Sequence, residues 1–385
     1  MQEIGKTFLK LYLLATFCIM PFSGQCSQQP FSVRVAILQN VDSLSLKVGG
    51  FYEIRDAASG KILARGKNLK TTVTCYKGGI LLGGMNFNRD NIIISNNAQG
   101  SMAINGRIFR GEMQFLKNKE DKFLVINRLE MEDYIKGILY HEASHYWPMQ
   151  ALCAQAIACR TYTVYQCLVN KPQEYDLTCD VYSQVYGGQT SERYRTSLAV
   201  EQTRGIILTF KGKALPSYYH ATCAGHTEDA SLLWNIDLPP LKGVACAFCK
   251  ESPHFNWHYV AGLDELRDKL LEAGFNKAVD IKEITILGKD KSGRITDLKI
   301  VSAGGECKIP AKIFRNVIGP NLIRSTNFTV NIANNDVVFE GLGWGHGVGM
   351  CQWGAYFMAK KGSAYQEILK FYYPESQISS LAKLQ

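Results

Sequence analysis

Glu142 is the acidic residue whose neighbours best suit it to exchange a proton near neutral pH. It lies in the segment YHEASHYWP (140–148), close in sequence to the aromatic residues Tyr140, Tyr146 and Trp147. Apolar surroundings disfavour an ionised carboxylate and would raise the pKa of Glu142 from about 4.3 by roughly two units. We therefore expect Glu142 to be a general acid and base. The alternative is a solvated glutamate at the end of a helix.

A second chemically unusual segment, GLGWGHGVGMCQWGA, spans residues 341–355. Glycine occupies every second position from 341 to 349 and surrounds Trp344 and His346, and Gln352 follows shortly after. Glycine allows the backbone to approach a ligand closely, and the flat face of tryptophan is a good platform for a sugar ring. We expect Trp344, His346 and Gln352 to bind substrate in a cleft. For His346 the alternative is a structural histidine whose hydrogen bonds are satisfied.

Four polar residues between 180 and 188 have side chains of the kind that line sugar-binding grooves. They are Tyr182, Ser183, Gln184 and Tyr186. Their hydroxyl and amide groups match the hydroxyls of a carbohydrate, so we predict a substrate-binding role for them. The same residue types are common in turns, which is the equally open alternative.

Residues 141–145 spell HEASH, which fits the HExxH signature of zinc metallopeptidases. That site requires both histidines on one face of a continuous helix, together with a third ligand further along the chain. Pro148 follows three residues after His145 and suits the first turn of a new helix. A helix break near residue 145 therefore argues against the peptidase, which remains the third hypothesis for this chain.

The chain has twelve cysteines, and four metal-ligating residues form two closely spaced pairs, Cys223-x-x-His226 and Cys246-x-x-Cys249. Two such pairs can enclose Zn²⁺ tetrahedrally, and a closed set of four protein ligands is structural rather than catalytic. Disulfides or reduced thiols are the alternatives. Cys153, Cys159 and Cys167 fall on a predicted helix, where we expect them to fill the core as small apolar residues.

The pattern of apolar residues predicts a mixed α+β fold of helices and antiparallel strands. Short alternating segments between 31 and 120 predict a β-rich amino-terminal region. Helical spacing then predicts a short helix over 131–142 and a long one after Pro148, followed by helices at 263–275, 355–362 and 365–373. We place the main domain at 121–380.

The first 26 residues have the composition of a secretory signal peptide. Lys6 and Lys10 precede the apolar run 11–22, which is too short to cross a bilayer comfortably. We therefore expect an exported protein, with membrane attachment only through an uncleaved signal segment. A net charge of +9 suits an anionic partner, although simple solubility explains it equally well. We find no nucleic-acid-binding motif and expect no nucleic-acid partner.

Several segments between residues 105 and 375 resemble the SpoIID/LytB family of stage II sporulation protein D and amidase enhancers. They occur in the family's order, and the most specific is the glycine-rich segment with the helices that follow it. The others are FRGEMQFLKN (109–118), FLVINRLEMEDYIKGILYHE (123–142), WPMQALCAQAIACRTYTVY (147–165), DVYSQVYGG (180–188), YYHATCAGHTEDASLLW (218–234) and ACAFCKESPHFNW (245–257).

The resemblance implies lytic cleavage of peptidoglycan glycan strands, particularly strands stripped of their stem peptides. The family's catalytic acid falls on Glu142, and the arginine of its long helix falls on Arg160. We assign Arg160 to the lactyl carboxylate of the substrate, since a guanidinium beside Glu142 would oppose the required pKa shift. An ion pair at the edge of the core is the alternative for Arg160. The chain departs from the family pattern at Ala143-Ser144, where Met-Pro is usual, and at Cys153, where lysine is frequent.

The leading hypothesis is an exported lytic transglycosylase of the bacterial periplasm or cell envelope. It would act on peptidoglycan glycan strands with Glu142 as its single acid and base. The second hypothesis, which the family also contains, is a non-catalytic protein that binds glycan and stimulates a cell-wall amidase. No cofactor beyond a structural zinc is expected.

Overall fold

Alternating apolar and polar residues in the first third of the chain produce a large antiparallel sheet. In strand β2 (Ser43–Asp56), for example, Leu44, Leu46 and Val48 are buried while the residues between them are exposed. The computed structural model describes residues 31–97, 100–180 and 183–384. The predicted signal peptide at 1–26 lies outside these ranges. Within them, no helix combines the length and the apolar character needed to cross a membrane.

The large sheet has the strand order β11-β1-β10-β9-β6-β2-β3-β4-β5, with β7 pairing to β2 and β8 pairing to β7. Its pairs are antiparallel except β1 with β11, which is parallel. The strands are β1 (Ser32–Val41), β2 (Ser43–Asp56), β3 (Ile62–Tyr76), β4 (Gly79–Leu82), β5 (Met85–Phe87), β6 (Asn91–Asn96), β7 (Met102–Ile104), β8 (Arg107–Phe109), β9 (Glu112–Lys117), β10 (Phe123–Glu130) and β11 (Leu177–Thr178).

Three helices pack next to this sheet and carry the segment with Glu142. They are α1 (Met131–Glu142), α2 (Met149–Val169) and α3 (Tyr194–Gln202). Helix α2 is buried on most sides, because small residues such as Ala151, Ala154 and Ala158 allow its neighbours to approach closely. Cys153, Cys159 and Cys167 of the same helix are buried, as expected.

The remaining elements complete the wall around α2 and an inserted region at residues 256–342. They are β12 (Ile206–Phe210), β13 (Lys213–Ala214), β14 (Tyr219–His220), α4 (Ala230–Trp234), β15 (Asn256–Gly262), α5 (Leu263–Glu272), β16 (Ile281–Lys289), β17 (Ile295–Ser302), β18 (Gly305–Pro310), α6 (Ala311–Ile318), β19 (Phe328–Ala333), β20 (Asp336–Leu342), β21 (Met350–Cys351), α7 (Gln352–Lys360), α8 (Tyr365–Tyr372) and β22 (Gln377–Ser380).

The inserted region has its own apolar core, which includes Leu266, Phe314 and Phe339. It leaves and rejoins the rest of the chain through β15 and β20, whose outer ends pair at Asn256 and Leu342. The glycine-rich segment therefore begins where the inserted region ends.

The fold is α+β with a β-rich amino-terminal part, as predicted. The predicted boundary between 120 and 121 falls in the turn between β9 and β10, which pair with each other in the large sheet. Contacts group the chain from Phe31 onward into one unit. The predicted start of α1 at 131 and its end at 142 agree with the structure, whereas α3, α4 and α6 were not predicted.

Candidate active site

Glu142 lies at the carboxyl end of α1, on the wall of a cleft of about 440 Å³. Helix α1 ends there because Ala143 takes an extended conformation, with φ −144° and ψ 135°. The opposite walls come from β14 and from the glycine-rich segment. The residues that line the cleft are His141, Glu142, Tyr162, Ser183, Val185, Tyr218, Tyr219, His220, Ala221, Trp234, Trp344, Gly345, His346 and Gln352.

The carboxyl group of Glu142 has an environment that favours its protonated form. Burial raises the pKa of Glu142 to about 7, while hydrogen-bonding groups of Tyr219, Gln352 and the Val185 backbone act in the opposite direction. The side-chain amide of Gln352 also donates to the backbone carbonyl of Glu142 at 3.0 Å. Among the described residues lining the cleft, Glu142 is the only carboxylate and none is Lys or Arg. The site therefore holds one proton-exchanging acid without an opposing cation in its lining.

The glycine-rich segment requires glycine for its backbone path. Gly343, Gly345, Gly347 and Gly349 all have φ between 70° and 107°, a region that disfavours other residues. A Cβ at Gly345 would lie 2.8 Å from the Cβ of His220, so the segment packs directly against β14. This path puts Trp344 on the cleft wall, where its backbone pairs with Thr222 through two hydrogen bonds of 2.9 and 3.0 Å.

Two histidines face the cleft in their neutral form. Burial lowers the pKa of His346 to about 3, and its Nδ1 accepts a hydrogen bond of 3.1 Å from the backbone N–H of Val348. Burial also holds the pKa of His220 well below its usual value. The Nδ1 of His220 lies 3.1 Å from the carbonyl of Val348, while its Nε2 is buried without a protein partner. Neither imidazole adds positive charge that would favour ionisation of Glu142.

A band of aromatic rings continues from Trp344 along the surface. The Trp344 ring centroid lies 4.7 Å from that of His254, which lies 6.1 Å from Trp353, and Trp353 in turn lies 5.3 Å from Trp147. The guanidinium of Arg324 lies over the other end of the band, 4.8 Å from the Trp344 centroid. These rings are half-buried, and flat aromatic faces of this kind suit contact with sugar rings.

Comparison with known proteins places this geometry in a family. A family model described as "Stage II sporulation protein" matches residues 119–210, which include α1 and Glu142. Stage II sporulation protein D of Bacillus subtilis is 30% identical over 270 residues, covering 66% of this chain and 76% of that protein. This chain belongs to the SpoIID family. Family membership supports a function related to the cell wall.

Two further relatives of this SpoIID-family chain differ in what is known of them. An uncharacterized protein of Brachyspira hyodysenteriae is 38% identical over 276 residues, covering 71% of this chain and 73% of that protein. The amidase enhancer of Bacillus subtilis is 28% identical over 293 residues, covering 64% of this chain and 40% of that protein. A second model, described as a domain of unknown function (DUF8618), matches residues 246–349, which contain the inserted region.

The arginine carried over from the SpoIID family is not in the cleft. Arg160 is 0% exposed, and its Nη2 lies 2.7 Å from a carboxylate oxygen of Glu132. Its Nη1 donates to the carbonyl of Ile206 at 3.1 Å, and the N–H of Gly205 donates to Glu132. The predicted substrate-binding role of Arg160 is therefore wrong; the ion pair that was the alternative is present, but it lies within the core and not at its edge. A helical pattern predicts that a side chain is buried but does not reveal its partner 28 residues away.

The polar residues predicted to bind substrate after residue 180 divide into two groups. Ser183 lines the cleft, whereas Gln184 and Tyr186 are 1% and 2% exposed. Gln184 donates to the hydroxyl of Tyr219 at 3.0 Å, and the hydroxyl of Tyr186 donates to Asn127 at 2.7 Å. The prediction is wrong for Gln184 and Tyr186, since both side chains are buried and hydrogen-bonded to other residues of the protein. Tyr182 lies outside the described residues.

Several cleft residues were missed because they belong to one segment to which no role was assigned. They are Tyr218, Tyr219, His220 and Trp234, all within the family-like segment 218–234. The run Tyr-Tyr-His was the available indication, since two hydroxyls and an imidazole in succession are unusual. Since β14 has only two residues, no alternating strand pattern marks this segment in the sequence.

The aromatic residues expected to surround Glu142 do not do so. Tyr146 is 81% exposed, the ring of Tyr140 lies beneath the Arg193 guanidinium at 4.4 Å, and Trp147 packs against Trp353. The predicted direction of the pKa shift and its predicted cause, removal of the carboxyl from water, agree with the structure, but the residues expected to bury it are wrong. The groups around the carboxyl come from distant segments, including Tyr219, rather than from its sequence neighbours.

The HExxH motif does not form a metal site in the described structure. Helix α1 ends at Glu142, so His141 and His145 do not share a helical face. The Nε2 of His141 lies 2.7 Å from the Ser191 hydroxyl, and the ring of His145 stacks near Tyr146 at 4.0 Å. This arrangement gives no support to the peptidase hypothesis.

Three of the four predicted zinc ligands lie together, but the fourth differs. The thiol sulfurs of Cys223, Cys246, Cys249 and Cys351 all lie within 4.8 Å of one another. His226 is outside this group, because its Nδ1 lies 2.6 Å from the carbonyl of Thr227. The prediction of His226 as a ligand is therefore wrong: the structure brings in Cys351, which follows Cys223 by 128 residues.

Proposed function

We propose that this protein is an exported lytic transglycosylase that cleaves the glycan strands of bacterial peptidoglycan, with Glu142 as acid and base. It would act in the periplasm or cell envelope. The observation that supports this proposal most strongly is the state of Glu142. Burial raises its pKa to about 7, so the protonated carboxyl is accessible near neutral pH, inside a cleft walled by tryptophan and tyrosine.

The reaction needs one group that first gives and then takes a proton. The carboxyl of Glu142 donates its proton to the oxygen of the glycosidic bond after a muramic acid, and the bond from C1 to that oxygen breaks. The C6 hydroxyl of the same sugar then bonds to C1, and its proton passes to the carboxylate of Glu142. The product is a 1,6-anhydro sugar, no water is consumed, and the enzyme returns to its starting state.

A single carboxylate fits this reaction better than glycoside hydrolysis. Hydrolases use two carboxyl groups about 5–9.5 Å apart, one of which activates water or attacks the sugar. Among the described residues that line the cleft, Glu142 is the only one with a carboxyl group. A transglycosylase replaces the second carboxylate with the substrate's own hydroxyl, so the composition of the cleft supports the proposed chemistry.

The substrate carboxylate requires a cation other than Arg160. Strands stripped of peptides carry a free lactyl carboxylate on each muramic residue, and a guanidinium is its natural partner. Arg324 is half-buried and stacks on Trp344, so its guanidinium lies beside one wall of the cleft. We assign the lactyl carboxylate to Arg324 and the sugar faces to Trp344 and the aromatic band.

The test is digestion of glycan strands stripped of stem peptides by the purified full chain. The proposal predicts fragments ending in 1,6-anhydro-muramic acid, which are one water lighter than hydrolysis products. In Glu142→Gln, which cannot donate the proton, the rate should fall by about 10²–10⁴-fold. Glu272→Gln, a matched change at an exposed position of α5, should keep the full rate. Reducing-end products, or unchanged cleavage by Glu142→Gln, would contradict the proposal.

A second function is favoured by the 28% identity to the amidase enhancer of Bacillus subtilis. The same cleft and aromatic band would then bind glycan without cutting it and would stimulate a cell-wall amidase. One assay separates the two functions. A non-catalytic enhancer would release no anhydro products but would accelerate an added amidase. Its Glu142→Gln variant would accelerate that amidase to the same extent.

A further inference from the structure

The cluster of four cysteines lies directly behind the cleft. Cys223 follows β14, Cys246 precedes a short 3₁₀ helix (Phe248–Glu251) that contains Cys249, and Cys351 precedes α7. All four side chains are buried, and all four sulfurs lie within 4.8 Å of one another. We infer that these cysteines bind one zinc ion as a closed, four-thiolate structural centre.

The arrangement has the composition that tetrahedral zinc requires. Zinc–thiolate bonds of about 2.3 Å place the four sulfurs of such a site roughly 3.8 Å apart. The sulfurs of Cys223 and Cys249 are 3.4 Å apart, so an ion between them needs only a small adjustment. A set of four soft sulfur ligands selects zinc over calcium or magnesium, and it leaves no open position for catalysis.

Hydrogen-bond donors surround the sulfurs in a way that stabilises thiolates. The backbone N–H groups of Cys223 and Gly354 both donate to the sulfur of Cys351 at 3.3 Å. The hydroxyl of Tyr372 lies 3.2 Å from the sulfur of Cys246. Donors in the outer shell offset the negative charge of a zinc–tetrathiolate group and orient its ligands.

The residues around the cysteine cluster are also closely packed. A Cβ added at Gly354 would lie 1.9 Å from the Tyr372 hydroxyl and 3.2 Å from the Cys246 sulfur. Any larger residue at 354 would displace the donor and the ligand together. Ala224, directly after Cys223, has φ 61°, a conformation that non-glycine residues rarely adopt. The turn after Cys223 is thus held in an unfavourable geometry that a metal bond would compensate.

The zinc centre would fix both walls of the cleft through the residues adjacent to its ligands. Cys223 follows Thr222, whose backbone pairs with Trp344. Cys351 precedes Gln352, whose amide donates to the carbonyl of Glu142. The ion would therefore join three distant segments of chain immediately behind the residues that line the cleft. Its role is to position the cleft, and it takes no part in the reaction.

The test measures metal and thiols in the full chain purified without chelator. One zinc per chain is expected by elemental analysis. A mercurial that modifies the thiols should release that zinc in proportion to four blocked cysteines. Cobalt(II) taken up in place of zinc should show the charge-transfer and visible bands of a tetrahedral thiolate site. Folded protein that lacks zinc and takes up no cobalt would overturn the inference, and so would a mass lower by four hydrogens, which indicates two disulfides.

Matched variants separate this ligand set from the one that includes His226. Cys351→Ser should lose stoichiometric zinc and unfold at a lower temperature, whereas Cys167→Ser, a buried helix cysteine outside the cluster, should retain one zinc. His226→Ala should also retain one zinc. Loss of zinc in His226→Ala, or its full retention in Cys351→Ser, would overturn the four-cysteine assignment. Should Cys351→Ser fail to fold, the cobalt spectrum of the unaltered protein still decides.

Discussion

The two ends of helix α1 each hold a glutamate, buried at Glu132 and half-buried at Glu142, and the groups around the two carboxyls differ. At the first turn, Glu132 pairs with Arg160 at 2.7 Å and accepts a further hydrogen bond from the N–H of Gly205. At the last turn, Glu142 lies in the cleft without Lys or Arg among the described lining residues. The positive end of the helix dipole favours a carboxylate at Glu132, and the negative end disfavours one at Glu142.

The comparison shows that the surroundings, and not the residue type, decide which glutamate can donate a proton. The compensated carboxylate of Glu132 holds α1 against α2 and serves the fold. The uncompensated carboxyl of Glu142 has its pKa raised to about 7 by burial and is available for chemistry. Four changes would break or sharpen this difference.

The largest expected effect is the loss of the cation at the first turn. Arg160→Met leaves the carboxylate of Glu132 buried without a partner, which should lower the free energy of unfolding by about 3–5 kcal/mol. Urea denaturation at neutral pH measures this change. The matched control is Arg65→Met, which breaks the exposed pair with Glu53 and should cost less than about 1 kcal/mol. Equal losses in both variants would show that burial of the Arg160–Glu132 pair does not increase the cost of breaking it.

Removing both charges of the buried pair should recover most of that loss. In the double variant Arg160→Met, Glu132→Leu no unpaired charge remains, and a buried ion pair is often replaceable by apolar residues at little net cost. Its stability should return to within about 2 kcal/mol of the unaltered protein. A double variant as unstable as Arg160→Met alone would assign the effect to packing instead of charge.

At the last turn, removing the charge of Glu142 should stabilise the protein, and the size of this effect should depend on pH. The pKa of Glu142 is about 7 in the folded protein against an ordinary 4.5, so the folded state holds its proton more tightly. Stability is therefore lost as the pH rises from about 4.5 to 7, and above 7 the full penalty is about 3 kcal/mol. Glu142→Gln has no such penalty. It should match the unaltered protein at pH 4 and exceed it by up to about 3 kcal/mol at pH 9, as measured by denaturation at both values. A constant difference across this range would contradict the account.

The smallest effect concerns a single hydrogen-bonding group at the cleft. Tyr219 lowers the pKa of Glu142, so Tyr219→Phe should raise that pKa further, by an energy of about 1 kcal/mol. In the proposed enzyme, the loss of activity at alkaline pH should move to higher pH. A pH–rate profile on stripped glycan strands measures the displacement. Tyr162→Phe, a second tyrosine of the cleft lining that is absent from the groups acting on Glu142, is the control and should leave the profile in place.

The sequence predicted the local features of this molecule well. The α+β class and the bounds of α1 follow from short-range patterns, namely strand alternation and helical spacing. Three cysteines of the cluster were likewise visible as closely spaced residues. These features share one property, since each depends on a short segment or, for the cysteines, on pairs of residues three positions apart.

The long-range pairings could not be predicted in this way. The partner of Arg160 is 28 residues earlier, the fourth cysteine lies 128 residues after Cys223, and the groups that act on Glu142 include Tyr219 and Gln352. Spacing rules favoured His226 over Cys351 because His226 lies three residues from Cys223. Which buried polar residue meets which partner depends on how the helices and the glycine-rich segment pack, and residue order alone does not specify that.

The most direct test of the account is the titration of Glu142 itself. Carbon-13 NMR of the side-chain carboxyls in protein labelled at glutamate resolves each group, and the resonance missing from Glu142→Gln identifies the one of interest. The account predicts that this carboxyl titrates near pH 7. A titration near pH 4, the range of an ordinary solvated glutamate, would show that the cleft leaves Glu142 ionised and would contradict its role as a proton donor.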